Sequence, residues 1–303
     1  MVGPRQGKSP DVAIIIPSYN EEGSVGKVVR GCFERLGGLR TEVIVIDDGS
    51  TDGTVTVAQE AGARVVRHRV NKGVAQAVRT GLSEAAREDP RVIVQLDADG
   101  QHDPGDIRKI IQPVLDDEAD LVIGTRIYEG WRPKPSRRFG NWLLTKVTNQ
   151  LAGTKVRDAQ TGFRAMTPEV ATGLRLTSGK TYVREMIIRA SREGFRILEV
   201  DVRVTPRENG QSKAVKSVVS YASGAIITMV RIYRDYEPLR FFGGFGASLA
   251  LIGVLLGLLL LLTRDALPWL SNNLGFRTVF LLITVGLQII LFGFLADMMR
   301  NGR

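Results

Sequence analysis

Short apolar runs alternate with amphipathic segments over the first two thirds of the chain. Residues 12–16, 43–46 and 92–96 are almost entirely aliphatic and rich in β-branched side chains, which is typical of buried parallel strands. Between the first two runs, apolar residues recur at helical spacing: Val25, Val28, Val29, Cys32 and Leu36. Strands that alternate with helices predict an α/β domain, in which ligands bind at the carboxyl ends of the strands.

The last third of the chain is far more apolar. Residues 241–263 include no charged side chain, and neither do residues 278–296. At about 1.5 Å per residue, a helix of either length crosses a hydrocarbon core of about 30 Å. Upstream, residues 213–236 are apolar at every third or fourth position with cations at the ends. That pattern predicts an amphipathic helix on a lipid surface, although a helix packed on the α/β domain is the alternative.

These patterns divide the chain into successive segments. Residues 1–10 are polar, without the apolar core of a signal peptide, and are predicted to be a flexible N-terminus. The α/β domain takes 11–212 and the interfacial helix region 213–240. Two transmembrane helices at 241–263 and 278–296, a loop at 264–277 and a tail at 297–303 complete the prediction.

Basic residues predict the orientation of the two spans. They are concentrated on the outer flanks of the hairpin, at Lys213, Lys216, Arg231, Arg234, Arg240, Arg300 and Arg303. The loop between the spans has only Arg264 and Arg277. The positive-inside rule therefore predicts a multi-pass protein of the plasma membrane, with the α/β domain and both termini in the cytoplasm.

The charge balance and cysteine content agree with that location. The net charge is +9 with a single cysteine, Cys32, which excludes an internal disulfide and fits a reducing compartment. The sequence has no basic patch interleaved with aromatic residues, so nucleic acid is not a predicted partner. The cations instead cluster at residues 126–138 and near the membrane.

Carboxylates follow each of the three apolar runs within a few residues. Asp97 and Asp99 come after the third run and are followed by Gln101. Side chains at i and i+2 of an extended segment point the same way, so the two carboxylates can share a hard cation such as Mg²⁺. On its own an Asp-x-Asp triplet is more often part of a turn than of a metal site. Glu21 and Asp48 come after the first two runs, which predicts an acidic edge.

Five motifs occur in a recognisable order: PSYNEE at 17–22, VIDDGSTDGT at 45–54, NKG at 71–73, DADGQH at 97–102 and DAQTGFR at 158–164. Together they resemble the family 2 glycosyltransferases, over roughly residues 11–215. The resemblance is strongest to the polyprenyl-phosphate (dolichyl-phosphate) hexosyltransferases, the dolichol-phosphate mannose synthase group. It implies a GT-A fold, the Rossmann-like fold of nucleotide-diphospho-sugar transferases, followed by the interfacial helix and transmembrane hairpin.

The resemblance implies the residues of the donor site. The nucleotide sugar would be bound by Pro17, Tyr19, Glu21, Ile46, Asp48, Asp97, Ala98, Asp99, Arg126, Arg207 and Lys213. The metal ion, Mg²⁺ or Mn²⁺, would be held by Asp97, Asp99 and Gln101. The catalytic residues would be Asp99, Arg126, Arg207 and Lys213. Asp47 is interpreted as a turn residue.

The acceptor implied by the resemblance is a polyprenyl phosphate. A phosphate monoester has a second pKa of about 6 and is mostly dianionic at neutral pH, so transfer needs cations to position it and no general base. Arg137, Arg138 and Arg164 are the candidates for that contact, and a solvated basic face is the alternative reading of each. Asp158 and Glu185 could either orient an arginine or touch substrate.

The implied activity is inverting transfer of one hexose from GDP-mannose or a UDP-hexose such as UDP-glucose to polyprenyl phosphate at the cytoplasmic membrane face. A processive synthase acting on a hydroxyl acceptor would need a Gln-x-x-Arg-Trp motif and more spans than this sequence has. A non-catalytic scaffold would not need the Asp97–Asp99 pair. Gly253 and Gly257 lie one helical turn apart in the first span, where close packing on the second span is expected and self-association stays open.

Overall fold

The computed structural model describes residues 9–128, 135–174, 176, 182–205, 227, 230, 231, 233, 234, 236–263 and 273–301, with the backbone alone at 136, 137, 273, 274, 300 and 301. The chain forms two compact units, Met1–Gly224 and Ala225–Arg303. Of the predicted interfacial helix region, the described residues between 227 and 236 have helical backbone. The rest of residues 213–236 lies outside the described part.

The first unit is an α/β domain. Its strands are β1 Val12–Ser18, β2 Thr41–Asp47, β3 Arg64–Arg67, β4 Val92–Gln95, β5 Leu121–Tyr128, β6 Arg164–Met166 and β7 Ile197–Val204. Its helices are α1 Val25–Arg35, α2 Thr54–Glu60, α3 Val74–Ala86, α4 Ile107–Leu115, α5 Pro135–Ala152, α6 Pro168–Gly173 and α7 Tyr182–Arg192. A turn of 3₁₀-helix, Pro104–Asp106, precedes α4.

The strands form a single sheet in the order β3-β2-β1-β4-β6-β5-β7. Only β6 runs antiparallel to its neighbours, β4 and β5. Ser18 at the end of β1 pairs with Asp47 at the end of β2, and Ile15 of β1 pairs with Gln95 of β4. The carboxyl ends of β1, β2 and β4 therefore meet at one edge, as the sequence predicts.

The apolar runs form the centre of the sheet. All five residues 12–16 are completely buried, and the predicted face of α1, including Val25, Val29 and Cys32, packs into the same core. Burial raises the pKa of the Cys32 thiol to about 12, so this cysteine stays protonated and acts as a small apolar residue. The rigid strands hold the loops at the carboxyl edge in place.

The second unit contains two long apolar helices, α8 Pro238–Leu262 and α9 Asn273–Asn301. Both hold a 25-residue stretch long and apolar enough to cross a membrane, Pro238–Leu262 and Gly275–Met299. Helix α8 begins three residues before the uncharged run 241–263, and α9 extends beyond both ends of the run 278–296. The uncharged run marks only the stretch that fits hydrocarbon, whereas backbone hydrogen bonding continues into the polar flanks.

Glycines bring α8 and α9 together. A methyl group on Gly246 would lie 2.5 Å from the carbonyl oxygen of Gly286, and one on Gly253 would lie 2.9 Å from the side chain of Ile283. Any larger residue at these positions would force the backbones apart. The expected packing of the first span's glycines against the second span is confirmed.

Candidate active site

Two loops at the carboxyl edge, residues 18–22 and 48–54, are joined by hydrogen bonds. The backbone N–H of Asn20 donates to Ser50 Oγ at 2.9 Å, and the Asn20 side-chain oxygen accepts from the Thr51 N–H at 2.9 Å. Asn20 has a left-handed φ of 54°, which asparagine tolerates better than most residues. The Glu21 N–H donates to Thr54 Oγ1 at 2.8 Å. Several polar residues of the first two motifs thus hold one loop against the other.

The structure brings the residues predicted for the nucleoside to these loops. Pro17 pairs with Ile46 across β1 and β2. Tyr19 is 37% exposed, whereas Ile46 is completely buried. Glu21 is half-buried and accepts a hydrogen bond from Ser24 Oγ at 3.2 Å. Ile46 therefore lies beneath this surface and Tyr19 on it.

Adjacent carboxylates at the end of β2 have different surroundings. The Asp47 carboxylate accepts from the Ser50 N–H at 3.1 Å and pairs with Arg67 Nε at 3.1 Å, which confirms its interpretation as a turn residue. The Asp48 carboxylate binds the backbone N–H groups of Lys72 and Gly73 and the ring of His68. Asp48 thus connects β2 to the loop that starts α3.

The loop after β4 carries the predicted metal ligands. Asp97 and Asp99 are both partly exposed, and Asp99 Oδ1 accepts from the Gln101 N–H at 3.1 Å. The described residues contain no group of three or more His, Cys, Asp or Glu side chains suited to a metal ion. Two carboxylates and an amide oxygen nevertheless fit a hard cation that takes its remaining ligands from phosphate and water.

Gly162 of the DAQTGFR motif lies against this site. A methyl group on Gly162 would lie 2.7 Å from Asp97 Oδ2, closer than real side chains approach. The glycine is therefore required by the position of the Asp97 carboxylate, 65 residues earlier in the chain.

Arg126, near the end of β5, forms a two-pronged ion pair with Asp158. Its Nε and Nη2 donate to the two carboxylate oxygens at 2.5 and 3.0 Å, and both side chains are almost buried. Burial alone would raise the pKa of Asp158, but the charge and hydrogen bonds of Arg126 outweigh burial and hold that pKa below its usual range. Burial would likewise lower the pKa of Arg126, but Asp158 and, more weakly, Tyr128 and Asp97 raise it. Because β4 and β5 both run antiparallel to β6, the carboxyl end of β5 lies at the same edge of the sheet as the loop after β4.

A groove of about 1030 Å³ opens beside this ion pair, between the end of β5 and helix α5. Its lining includes Arg126, Tyr128, Arg138 and Trp142. Trp142 and Phe139 are more than half exposed, and Lys146 Nζ lies 5.2 Å from the centre of the Trp142 ring. The groove therefore combines cations with exposed aromatic surface.

The other residues predicted to bind the acceptor or donor phosphates are placed differently. Arg164 is completely buried on β6, where its Nε donates to the Thr161 carbonyl at 3.1 Å, and burial lowers its pKa to about 10. The structure does not place Arg164 in the lining of the groove beside α5, and its contact with the acceptor phosphate stays a prediction. The side chain of Arg137, and the whole of Arg207 and Lys213, lie outside the described residues.

Thr205, the last described residue of the first unit, ends next to the metal-site loop. Its N–H donates to the Gln101 carbonyl at 2.9 Å, and Gln101 Nε2 is 3.4 Å from the Thr205 carbonyl. The predicted ligand Gln101 and the chain that leads to Arg207 are therefore neighbours.

Sequence reasoning did not assign a role to His68, one of two histidines in the chain. It comes directly after β3, so a strand end at the same edge was the available signal. The other histidine, His102, is buried against Phe163, and burial with the charge of Arg126 lowers its pKa to about 4. His102 is therefore neutral at physiological pH.

Asp158 and Glu185 both orient arginines. Asp158 holds Arg126, and Glu185 Oε1 accepts from Arg189 Nε at 2.8 Å one turn along α7. Of the two roles that the sequence leaves open for each carboxylate, the described contacts favour the orientation of an arginine.

Comparison with known proteins identifies the family. The model of the glycosyl transferase family 2 matches residues 13–173, more than half of the chain. The chain is a family 2 glycosyltransferase. The match covers the carboxyl-edge loops, the Arg126–Asp158 pair and Gly162.

Individual relatives of this glycosyltransferase are polyprenyl-phosphate sugar transferases. Polyprenol monophosphomannose synthase of Mycolicibacterium smegmatis is 34% identical, over 66% of this chain and 79% of its own. UDP-N-acetylglucosamine–dolichyl-phosphate N-acetylglucosaminyltransferase of Methanococcus voltae is 30% identical, over 69% and 92%. The described fold is similar to glucosyl-3-phosphoglycerate synthase of Mycobacterium tuberculosis, with a TM-score of 0.57 and 22% identity over 74% of this chain and 79% of that one. That similarity confirms the GT-A fold.

Proposed function

We propose that this glycosyltransferase moves one hexose from a nucleotide sugar to a polyprenyl phosphate, with inversion, at the cytoplasmic face of the membrane. The observation that carries the proposal is the position of Arg126. Its guanidinium is fixed by Asp158 at the edge that presents Asp97 and Asp99, and it also lines the groove beside α5. Arg126 would therefore lie between the donor region, which is the loop with Asp97 and Asp99, and the acceptor region, which is the groove beside α5.

The donor region suits a nucleoside diphosphate. Asp97, Asp99 and Gln101 would hold Mg²⁺ or Mn²⁺, which neutralises the departing diphosphate as a Lewis acid. The solved structure of the mycobacterial glucosyl-3-phosphoglycerate synthase contains Mn²⁺ and UDP, which supports the same choice of cofactor here. Tyr19 would contact the nucleoside, and Asp48 would accept a hydrogen bond from it.

The remaining donor contacts are those of the family resemblance. Pro17, Glu21 and Ala98 would complete the nucleotide-sugar site, while Arg207 and Lys213 would close over the diphosphate as cations. The proximity of Thr205 to Gln101 supports this arrangement, because Arg207 is only two residues further along the chain.

The groove suits an amphiphilic acceptor. A polyprenyl phosphate has a dianionic head and an isoprenoid chain, and the groove offers Arg126 and Arg138 beside the exposed rings of Phe139 and Trp142. Arg137 remains a proposed contact of the same phosphate. Arginine binds phosphate without accepting its proton, so the phosphate oxygen keeps its charge and attacks the sugar directly. A single displacement of this kind inverts the anomeric centre.

The membrane assignment rests on α8 and α9. Both are apolar over a membrane-spanning length, and only 17% and 11% of their most apolar windows are buried in the structure, whereas the core helix of a soluble protein would be mostly buried. We propose that 11–212 is the catalytic domain, that 213–240 lies at the lipid surface and that both flanks of the hairpin are cytoplasmic. With this topology, the catalytic domain and the phosphate of a cytoplasmically exposed acceptor would be on the same side of the membrane.

The proposal is tested with full-length protein in detergent, polyprenyl phosphate and a panel of radiolabelled nucleotide sugars. Transfer of label to polyprenyl phosphate, and not to the free polyprenol, is expected. Arg126→Ala should lower kcat/KM by about 100-fold or more, since a fixed charge at a phosphate contributes on that scale.

Arg196→Ala is the matched control. Arg196 also pairs with carboxylates, Asp117 and Asp120, but at the amino ends of β5 and β7. It should retain wild-type kcat/KM. Comparable transfer to the free alcohol, or full activity of Arg126→Ala, would show that the acceptor is not a phosphate held by Arg126.

A further inference from the structure

Asp48 is nearly saturated by hydrogen bonds from the protein. Its Oδ1 accepts from His68 Nδ1 at 2.7 Å and from the Lys72 N–H at 2.9 Å, and its Oδ2 accepts from the Gly73 N–H at 2.7 Å. Only 4% of the side chain is exposed. A carboxylate has about four acceptor positions, so protein groups in the described chain fill all but one, and the open position is on Oδ2.

His68 donates one of the two hydrogen bonds that fill the acceptor positions of Asp48 Oδ1. An ionised carboxylate only accepts hydrogen bonds, so the proton of this pair lies on His68 Nδ1. The other ring nitrogen, Nε2, is 3.0 Å from Thr80 Oγ1 on α3, and only 6% of the side chain is exposed. Held at both nitrogens, the imidazole donates to Asp48 whether it is neutral or charged.

The number of open acceptor positions distinguishes the nucleobases. Uracil presents one ring N–H between two carbonyl oxygens, so a single acceptor satisfies its donor. Guanine presents a ring N–H and an exocyclic amine side by side, and a carboxylate satisfies both donors only with both of its oxygens. A guanine on Asp48 would leave one donor without an acceptor, which costs binding free energy.

From this geometry we infer that the donor is a uridine diphosphate sugar and that His68 sets the preference for uracil over guanine by leaving Asp48 a single open acceptor position. The inference rests on the proposed function, in which Asp48 faces the nucleoside. His68 is a positioning residue, since it acts through Asp48 and does not touch the base.

The test is the affinity of the full-length protein for UDP and for GDP, measured by isothermal titration calorimetry in detergent with Mg²⁺. We expect UDP to bind about tenfold more tightly than GDP, or better, because one unsatisfied buried donor is disfavoured on that scale. GDP binding as tight as UDP would overturn the inference while leaving the proposed transfer intact. Binding of neither nucleotide would refute the proposed function and the inference with it.

Two substitutions at one position test the role of His68. His68→Phe keeps an aromatic ring but removes the donor, so Oδ1 becomes available and the UDP:GDP affinity ratio should fall severalfold. His68→Asn places an amide N–H near the former Nδ1 and should restore the wild-type ratio. Loss of pocket structure would weaken both nucleotides together, so the ratio separates base selection from stability.

Thermal unfolding of each variant reports whether the domain is intact. A folded His68→Phe protein with the wild-type ratio would overturn the role of His68. Should His68→Phe fail to fold, the wild-type ratio and the His68→Asn ratio decide the inference, and a His68→Asn protein that prefers GDP would contradict it.

Discussion

Gly162→Ala tests whether the DAQTGFR motif shapes the metal site. The new methyl group would lie 2.7 Å from Asp97 Oδ2 and 2.8 Å from Oδ1, whereas ordinary contacts begin at 3.4 Å. The carboxylate or the Gly162 backbone must therefore shift by about 0.7 Å. Gly162 does not have a left-handed φ, so alanine meets no backbone penalty and the effect reports this contact alone.

A shift of that size moves Asp97, one of the two proposed carboxylate ligands, out of position. Misplacement by about 1 Å costs up to about 100-fold in rate, so we expect kcat to fall by about 10- to 100-fold. The affinity for Mn²⁺ in the presence of nucleotide should weaken about tenfold, in line with the loss of support for a metal ligand. Overpacking should also lower the free energy of unfolding by about 1–3 kcal/mol.

The assays are calorimetric titration of Mn²⁺ into the nucleotide complex and steady-state transfer to polyprenyl phosphate. Gly173→Ala, at the end of α6, is the control, because a methyl group there meets only atoms at 3.9 Å or beyond. It should behave as wild type in both assays. A Gly162→Ala protein with unchanged Mn²⁺ affinity and kcat would refute the link between Gly162 and Asp97.

Three other variants probe the same protein. Asp99→Asn keeps the shape of the side chain but removes the charge of a proposed metal ligand, so the rate of transfer should fall by orders of magnitude while the melting temperature is retained. Full activity of the wild-type protein in EDTA would contradict the metal assignment. Asp158→Asn leaves Arg126 buried without its counter-charge and should lower the free energy of unfolding by about 3–5 kcal/mol, as measured by urea denaturation. Since the pKa of folded Asp158 is below its unfolded value, this stabilisation is complete above about pH 4 and is lost as pH falls further, so the variant should show a weaker acid dependence. Truncation after Glu237 should leave a domain that still binds nucleotide but loses more turnover on long-chain acceptors than on short-chain acceptors. An equal loss of turnover on both acceptors would indicate that the hairpin is part of the active site.

The residues predicted for the site differ in how much of their surroundings is set by neighbouring positions in the sequence. Asp97 and Asp99 could be named as candidates because they come just after a buried strand, but they lie in a turn and not in extended backbone, so the spacing of two does not by itself put them on one face. Arg126 could be named from the resemblance, but its partner Asp158 is 32 residues away, and its closeness to Asp97 depends on strand order. The burial of Arg164 on β6 could not be predicted, because a lone arginine in a motif gives no local sign of it.

Some strands of the sheet could be predicted from the sequence and others could not. The long apolar runs predict β1, β2 and β4, since a parallel strand covered on both faces must be apolar throughout. The strand β6 has only three residues, too few for any periodicity, and its antiparallel insertion between β4 and β5 is visible only in the assembled sheet.

By itself, the sequence determined the α/β class, the acidic edge, the two apolar helices and, through its motifs, the glycosyltransferase family. These properties depend on which residues are buried and on the residue types directly after each strand, and both are encoded over a few neighbouring positions. The tertiary structure decided that His68 saturates one oxygen of Asp48, that Asp158 clamps Arg126 and that Gly162 makes room for Asp97. Each of these contacts joins loops 20 or more residues apart. Their geometry is set by the order and register of the strands, which no local pattern contains.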